Sequence, residues 1–148
     1  MTLQKWETNS WIQKHSTSCD EINNLFQLVR RDIASAYENS NPDWIFNIVY
    51  NAALKLCTIL LHSSGYKATR STSHHYTIQS LTQIWGTSSQ DTADYLDSCR
   101  NKRNISSYDY AGSISQKEAN DLIEFVIQFQ KKVIDWMNNN HPELMKDQ

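Results

Sequence analysis

The sequence predicts an all-α fold: an up-and-down antiparallel bundle of four to five helices. Three observations lead there. Glycine and proline are scarce, 3 and 2 residues in 148, whereas a sandwich or barrel needs turn residues every ~8–12 positions. Apolar residues recur at helical intervals over long segments. Two of those segments are preceded by capping-box pairs, Ser18 with Glu21 and Ser115 with Glu118. A chain of this length is most economically one domain, burying roughly two-thirds of its unfolded surface. That domain is expected to span residues 18–148, behind a polar segment, residues 1–17.

The elements follow in order. In residues 1–17, Trp6 and Trp11 either belong to a short helix that lays its indoles on the body or lie in a frayed end. From Ser18, the positions Ile22, Leu25, Phe26, Val29, Ile33, Ala36 and Tyr37 keep helical spacing. The run Asn39-Ser40-Asn41-Pro42 stops that helix and starts the next, with Asn41 as N-cap and Pro42 in the first turn, where a missing N–H costs nothing. Residues 43–61 are apolar on most faces, as expected of the central helix of a bundle. Gly65 can supply its left-handed C-terminal turn. A shorter helix is expected from about His74 to Trp85, with Ile78, Leu81, Ile84 and Trp85 inward and Gly86 at its end. The next begins near Ser88 or Ser89 and turns Ala93, Leu96 and Cys99 inward. The last carries Ala119, Leu122, Ile123, Val126, Phe129, Val133, Ile134 and Met137, and Asn138 to Pro142 closes it. No convincing strand is expected.

Composition narrows function by exclusion. A formal net charge of −2 gives no global basic field, so any nucleic-acid contact must come from a local patch. Three separated cysteines, Cys19, Cys57 and Cys99, without a CxxC, predict free thiols of a reducing compartment. The amino terminus lacks a secretory pattern, and the longest apolar stretches are interrupted short of ~18 residues, so a cytoplasmic protein with no membrane span is expected. No Gly-rich phosphate loop and no Gly-x-Ser-x-Gly turn is present. His62, His74, His75 and Cys57 lack the paired spacings of a zinc site. His74 and His75 point about 100° apart on a helix and serve one ion poorly. No metal and no cofactor is expected.

One stretch concentrates hydrogen-bonding side chains: RNKRNISSYDYAG, residues 100–112. Arg100 and Arg103 share a helix face, with Asn104 one turn beyond Arg100. Guanidinium forks suit phosphate, and tyrosine can donate to the same group or stack on a base. A purely structural account also holds, in which arginines complement a helix C-terminus and tyrosines seal the bundle end. A local patch of Arg100, Lys102, Arg103, Lys67 and Arg70 would form if the 63–73 loop folds over the motif.

This stretch, together with DWIFNIVYNAALKLCTILLHSSGYKATR and HHYTIQSLTQIWG, resembles the signature region of the HEPN superfamily, in the manner of its small stand-alone prokaryotic members. The similarity runs over residues 20 to 142 in the order of elements, and its sharp part is short. The resemblance implies a helical bundle that dimerises and a metal-independent ribonuclease motif of arginine, polar residue and, after four to six intervening residues, histidine. It places the arginine at Arg103, the polar residue at Asn104 and the histidine's position at Tyr108. In that chemistry the ribose 2′-OH attacks the adjacent phosphate, the arginine stabilises developing charge and the histidine moves protons. Tyr108 departs from the pattern: an ordinary tyrosine pKa near 10, against about 6.5 for histidine, makes it a poor base at neutral pH. No other histidine is near in sequence. The resemblance also implies a toxin–antitoxin or defence role, with a nucleotidyltransferase-type antitoxin as partner and Tyr110 as the tyrosine it would adenylate. Three readings stay open: a weak or lapsed ribonuclease, a non-catalytic binder of RNA or nucleotide phosphate, and a protein-interaction module.

Overall fold

The computed structural model describes residues 2–69, 73–105 and 111–146. Four long helices make the bundle: α2 (Cys19–Tyr37), α3 (Pro42–Ser63), α6 (Gln90–Asn104) and α7 (Gln116–Asn140). Ahead of them come α1 (Leu3–Thr8) and β1 (Ile12–Lys14). Between α3 and α6 lie β2 (Tyr66–Ala68), α4 (Ser73–Gln79) and α5 (Leu81–Ile84).

Named contacts fix the directions. Glu21 at the start of α2 meets His62 at the end of α3, so these two run antiparallel. Asp43 at the start of α3 accepts the N–H groups of Gly112 and Ile114, just ahead of α7, so α3 and α7 start at the same end. The end of α6 reaches that end too, where Lys102 pairs with Glu118 in the first turn of α7. The order is therefore up, down, up, down, as the sequence predicts.

The caps explain where helices begin. Ser115 and Glu118 form both halves of a capping box, and Asn41 Oδ1 accepts from Asp43 and Trp44. Ser18 Oγ accepts from Glu21 N–H as expected, but the Glu21 carboxylate does not return to the cap; it binds His15, Thr17 and His62 instead. Only half of the predicted box forms, because partners distant in sequence take the carboxylate.

α3 is the core helix. Eleven of its residues are buried: those from Ile45 to Leu60 pack with Phe26 and Val29 of α2, Leu96 of α6, and Leu122, Val126 and Val133 of α7, and Leu61 packs with Trp6 and Ile12. Contrary to the sequence expectation, α3 is by length and composition apolar enough to cross a membrane, with an 18-residue window of mean hydropathy 1.6. Inside the bundle 61% of that window is buried, so the core accounts for its apolarity. Asp32 faces this seam from α2 and is held by Lys55 Nζ at 2.6 Å and Arg31 Nη2 at 2.9 Å.

The remaining differences are local. β1 and β2 pair antiparallel, Ile12 opposite Ala68, although no strand is expected from sequence; three residues each are too few to show a two-residue period. Trp6 is buried and meets Trp11 and Tyr76 edge to face, so the leading segment does lay its indoles on the body. The helix expected from His74 to Trp85 is broken at Ser80, whose Oγ bonds the Thr77 carbonyl. Tyr37, expected inward, is 64% exposed at the last position of α2.

Candidate functional site

The arginines of α6 sit where three elements meet. Tyr50 comes from the middle of α3, His74 from the first turn of α4, and Arg100 and Arg103 from the last turns of α6. The Arg103 guanidinium lies over the Tyr50 ring, its Cζ 5.1 Å from the centroid, a cation–π geometry. Arg103 Nη2 stands 3.3 Å from His74 Nδ1, and Tyr50 Oη stands 3.3 Å from the same nitrogen. Arginine has only donors, so His74 Nδ1 accepts and the imidazole proton resides on Nε2. Arg103 Nε is buried without a hydrogen-bond partner among the described residues.

Electrostatics follow from this packing. Burial, then the charges of Arg103 and Arg100, hold His74 below its ordinary 6.5, so it is neutral at pH 7. Burial pushes the Tyr50 phenol up to about 12 against the opposing pull of both arginines, so it stays a neutral O–H. Arg100 Nε is held at 2.8 Å by Asp97, whose other oxygen is 3.3 Å from His75 Nδ1. The adjacent histidines thus point to different partners, as their 100° separation requires.

The site unites Arg100 and Arg103 and leaves out other members of the expected patch. Lys102 turns to Glu118 Oε2 at 2.6 Å, at the start of α7. Lys67 lies in β2 opposite Gln13, and its charge acts on His62 at the far end of α3. Asn104 is half-buried on the last turn of α6. Arg70, Tyr108 and Tyr110 lie outside the described residues. Cys57 and Cys99 are buried free thiols whose pKa values burial raises, Cys99 to about 11, so neither is poised as a nucleophile.

Sequence reasoning passed over His74 and Tyr50 as partners of Arg103. His74 is 29 residues from Arg103, and only the fold brings an imidazole to the arginine. The available signal was Tyr50, a fully buried hydroxyl in a nearly all-apolar helix, which must find a polar partner. No family model matches the chain, and comparisons with curated proteins and with solved structures found no match.

Proposed function

We propose that Arg103, His74 and Tyr50 form a phosphodiester-binding site that cleaves RNA without a metal ion, in the manner of HEPN ribonucleases. The observation that carries this reading is the imidazole of His74, 3.3 Å from Arg103. The histidine that Tyr108 lacks in sequence is supplied in space by α4.

An incoming phosphate competes with His74 Nδ1 for the Arg103 guanidinium, which prefers a planar, charged acceptor to a neutral nitrogen. When Arg103 swings to the phosphate, Nδ1 is released as a base for the ribose 2′-OH, with Tyr50 Oη left beside it. His74 Nδ1 takes the 2′-OH proton, the 2′-oxygen attacks phosphorus, the 5′-oxygen leaves and takes a proton from water, and a 2′,3′-cyclic phosphate results. Arg103, with Arg100 behind it, neutralises the charge that develops on the phosphoryl oxygens. Asn104 and Tyr108 orient the phosphate. A homodimer would face two such sites across one cleft. A toxin or defence role, restrained by a nucleotidyltransferase-type antitoxin acting on Tyr110, belongs to the same reading.

The same contact also favours a second reading, phosphate binding without turnover, because the Nδ1 lone pair is engaged by Arg103 here. One experiment separates the two: RNA affinity and RNA cleavage measured in EDTA for the wild-type chain, Arg103→Met and His74→Ala. Cleavage lost in both variants, with affinity lost mainly in Arg103→Met, supports the nuclease. Salt-dependent affinity without product supports the binder. Affinity and cleavage both unchanged in Arg103→Met would remove the site from either reading.

A further inference from the structure

A second cluster of chemistry-bearing side chains lies at the other end of the bundle. His15 follows β1, Glu21 is in the first turn of α2, and His62 is in the last turn of α3. His62 is twelve residues beyond Tyr50, about 18 Å along the α3 axis. The cluster is therefore separate from the Arg103 site.

We propose that His15, Glu21 and His62 bind a divalent transition-metal ion of the zinc type, with two imidazoles and one carboxylate as ligands and the remaining position open. Three features carry this. His15 Nε2 and His62 Nδ1 both point at Glu21 Oε1, at 2.7 and 2.8 Å, and the three ligand atoms lie within 4.8 Å of one another. Ligands of one tetrahedral zinc ion, each ~2.1 Å from the metal, stand about 3.4 Å apart, so small movements admit an ion between them.

The second feature is crowding on one atom. Thr17 Oγ1 also approaches Glu21 Oε1, at 2.7 Å, so three donors share an oxygen with about two lone-pair sites. For both imidazoles to donate there, each must carry a proton on the nitrogen facing the carboxylate. When a cation binds, each imidazole proton moves to its other ring nitrogen, both facing nitrogens become ligands, and the Thr17 hydroxyl orients the carboxylate from outside.

The third is fixed geometry with access. His62 and Glu21 belong to helices that pack on each other, and the His15 backbone N–H bonds the Gly65 carbonyl at 2.9 Å. A depression of about 500 Å³, lined by Lys14, His15, Ser16, Ser64, Gly65 and Tyr66, reaches the cluster at His15. Lys67 works against a cation, which points to micromolar rather than tighter affinity. A bound ion would tie the β1 segment to the bundle.

The test is calorimetric titration of the EDTA-treated, dialysed full chain with Zn²⁺, followed by Co²⁺ absorption spectroscopy. One equivalent of Zn²⁺ is expected to bind, with a rise in melting temperature, and affinity is expected to fall at least ~10-fold in Glu21→Gln and His15→Ala. His141→Ala, at the end of α7, should bind as wild type does. Because His15 lies outside the helices, His15→Ala remains decisive if variants in α2 or α3 fail to fold. No heat of binding at about 100 µM Zn²⁺, an affinity that His15→Ala leaves unchanged, or a thiolate charge-transfer band with Co²⁺ would each overturn the assignment.

Discussion

Tyr50 joins the core to the candidate site, so truncating it in two steps separates its two jobs. Its ring is fully buried in α3 and forms the floor under the Arg103 guanidinium, while its hydroxyl reaches His74 at 3.3 Å. Tyr50→Phe removes only that hydroxyl. A net hydrogen bond is worth ~0.5–1.5 kcal/mol, and this one is long, so a loss of about 0.5–1 kcal/mol is expected. His74 Nδ1 keeps Arg103 as partner, so no orphaned group adds to the cost. Tyr50→Leu removes the ring as well. Lost packing together with a cation–π contact worth ~1–2 kcal/mol when partly desolvated brings the expected cost to about 3 kcal/mol. For a chain of this size each kcal/mol shifts the melting temperature by roughly 2–4 °C. Urea unfolding of wild type, Tyr50→Leu, Arg103→Met and the double variant measures the coupling between ring and guanidinium, expected at about 1 kcal/mol. Additivity within about 0.3 kcal/mol would refute a joint role for Tyr50 and Arg103.

Other consequences follow from the same contacts. By NMR titration His74 should take up its proton below pH 6.5, and Arg103→Met should move that midpoint upward; an unmoved midpoint would mean that Arg103 does not act on it. Because the folded-state pKa is depressed, His74 contributes stability that is present above 6.5 and lost as pH falls through the folded value; His74→Gln should flatten that dependence. Lys55→Met leaves buried Asp32 with Arg31 alone and should cost about 2–3 kcal/mol, while adding Asp32→Leu should recover most of the loss in urea unfolding. Asp43→Ala removes two N–H acceptances near the chain surface and should cost about 1–2 kcal/mol by the same measurement; a neutral result would mean that the turn before α7 is held by other contacts.

The parts of the fold legible in sequence are those decided within a few residues. The Asn41-Pro42 start of α3, the Ser115–Glu118 box and the inward stripe of α7 depend on local spacing, and the structure has them as expected. Features that depend on distant partners were hidden. The Glu21 carboxylate has the right spacing for a box, yet His62, 41 residues away, competes for it. The three-residue strands carry too little pattern to be seen. At the candidate site, the two arginines were legible because they stand three residues apart on one helix. His74 was not, because its approach to Arg103 is set by how α4 and α6 pack. Lys102 was misplaced into the patch because spacing alone does not show that Glu118 lies within its reach.

In the proposed site His74 and Arg103 act on the same phosphodiester. The most direct measurement of this joint action is the chemistry of the RNA ends left after incubation with purified protein in EDTA. The expected ends are 2′,3′-cyclic phosphate and 5′-hydroxyl, and they should disappear in both His74→Ala and Arg103→Met. Ends bearing 5′-phosphate, or the same ends at an unchanged rate in His74→Ala, would contradict it.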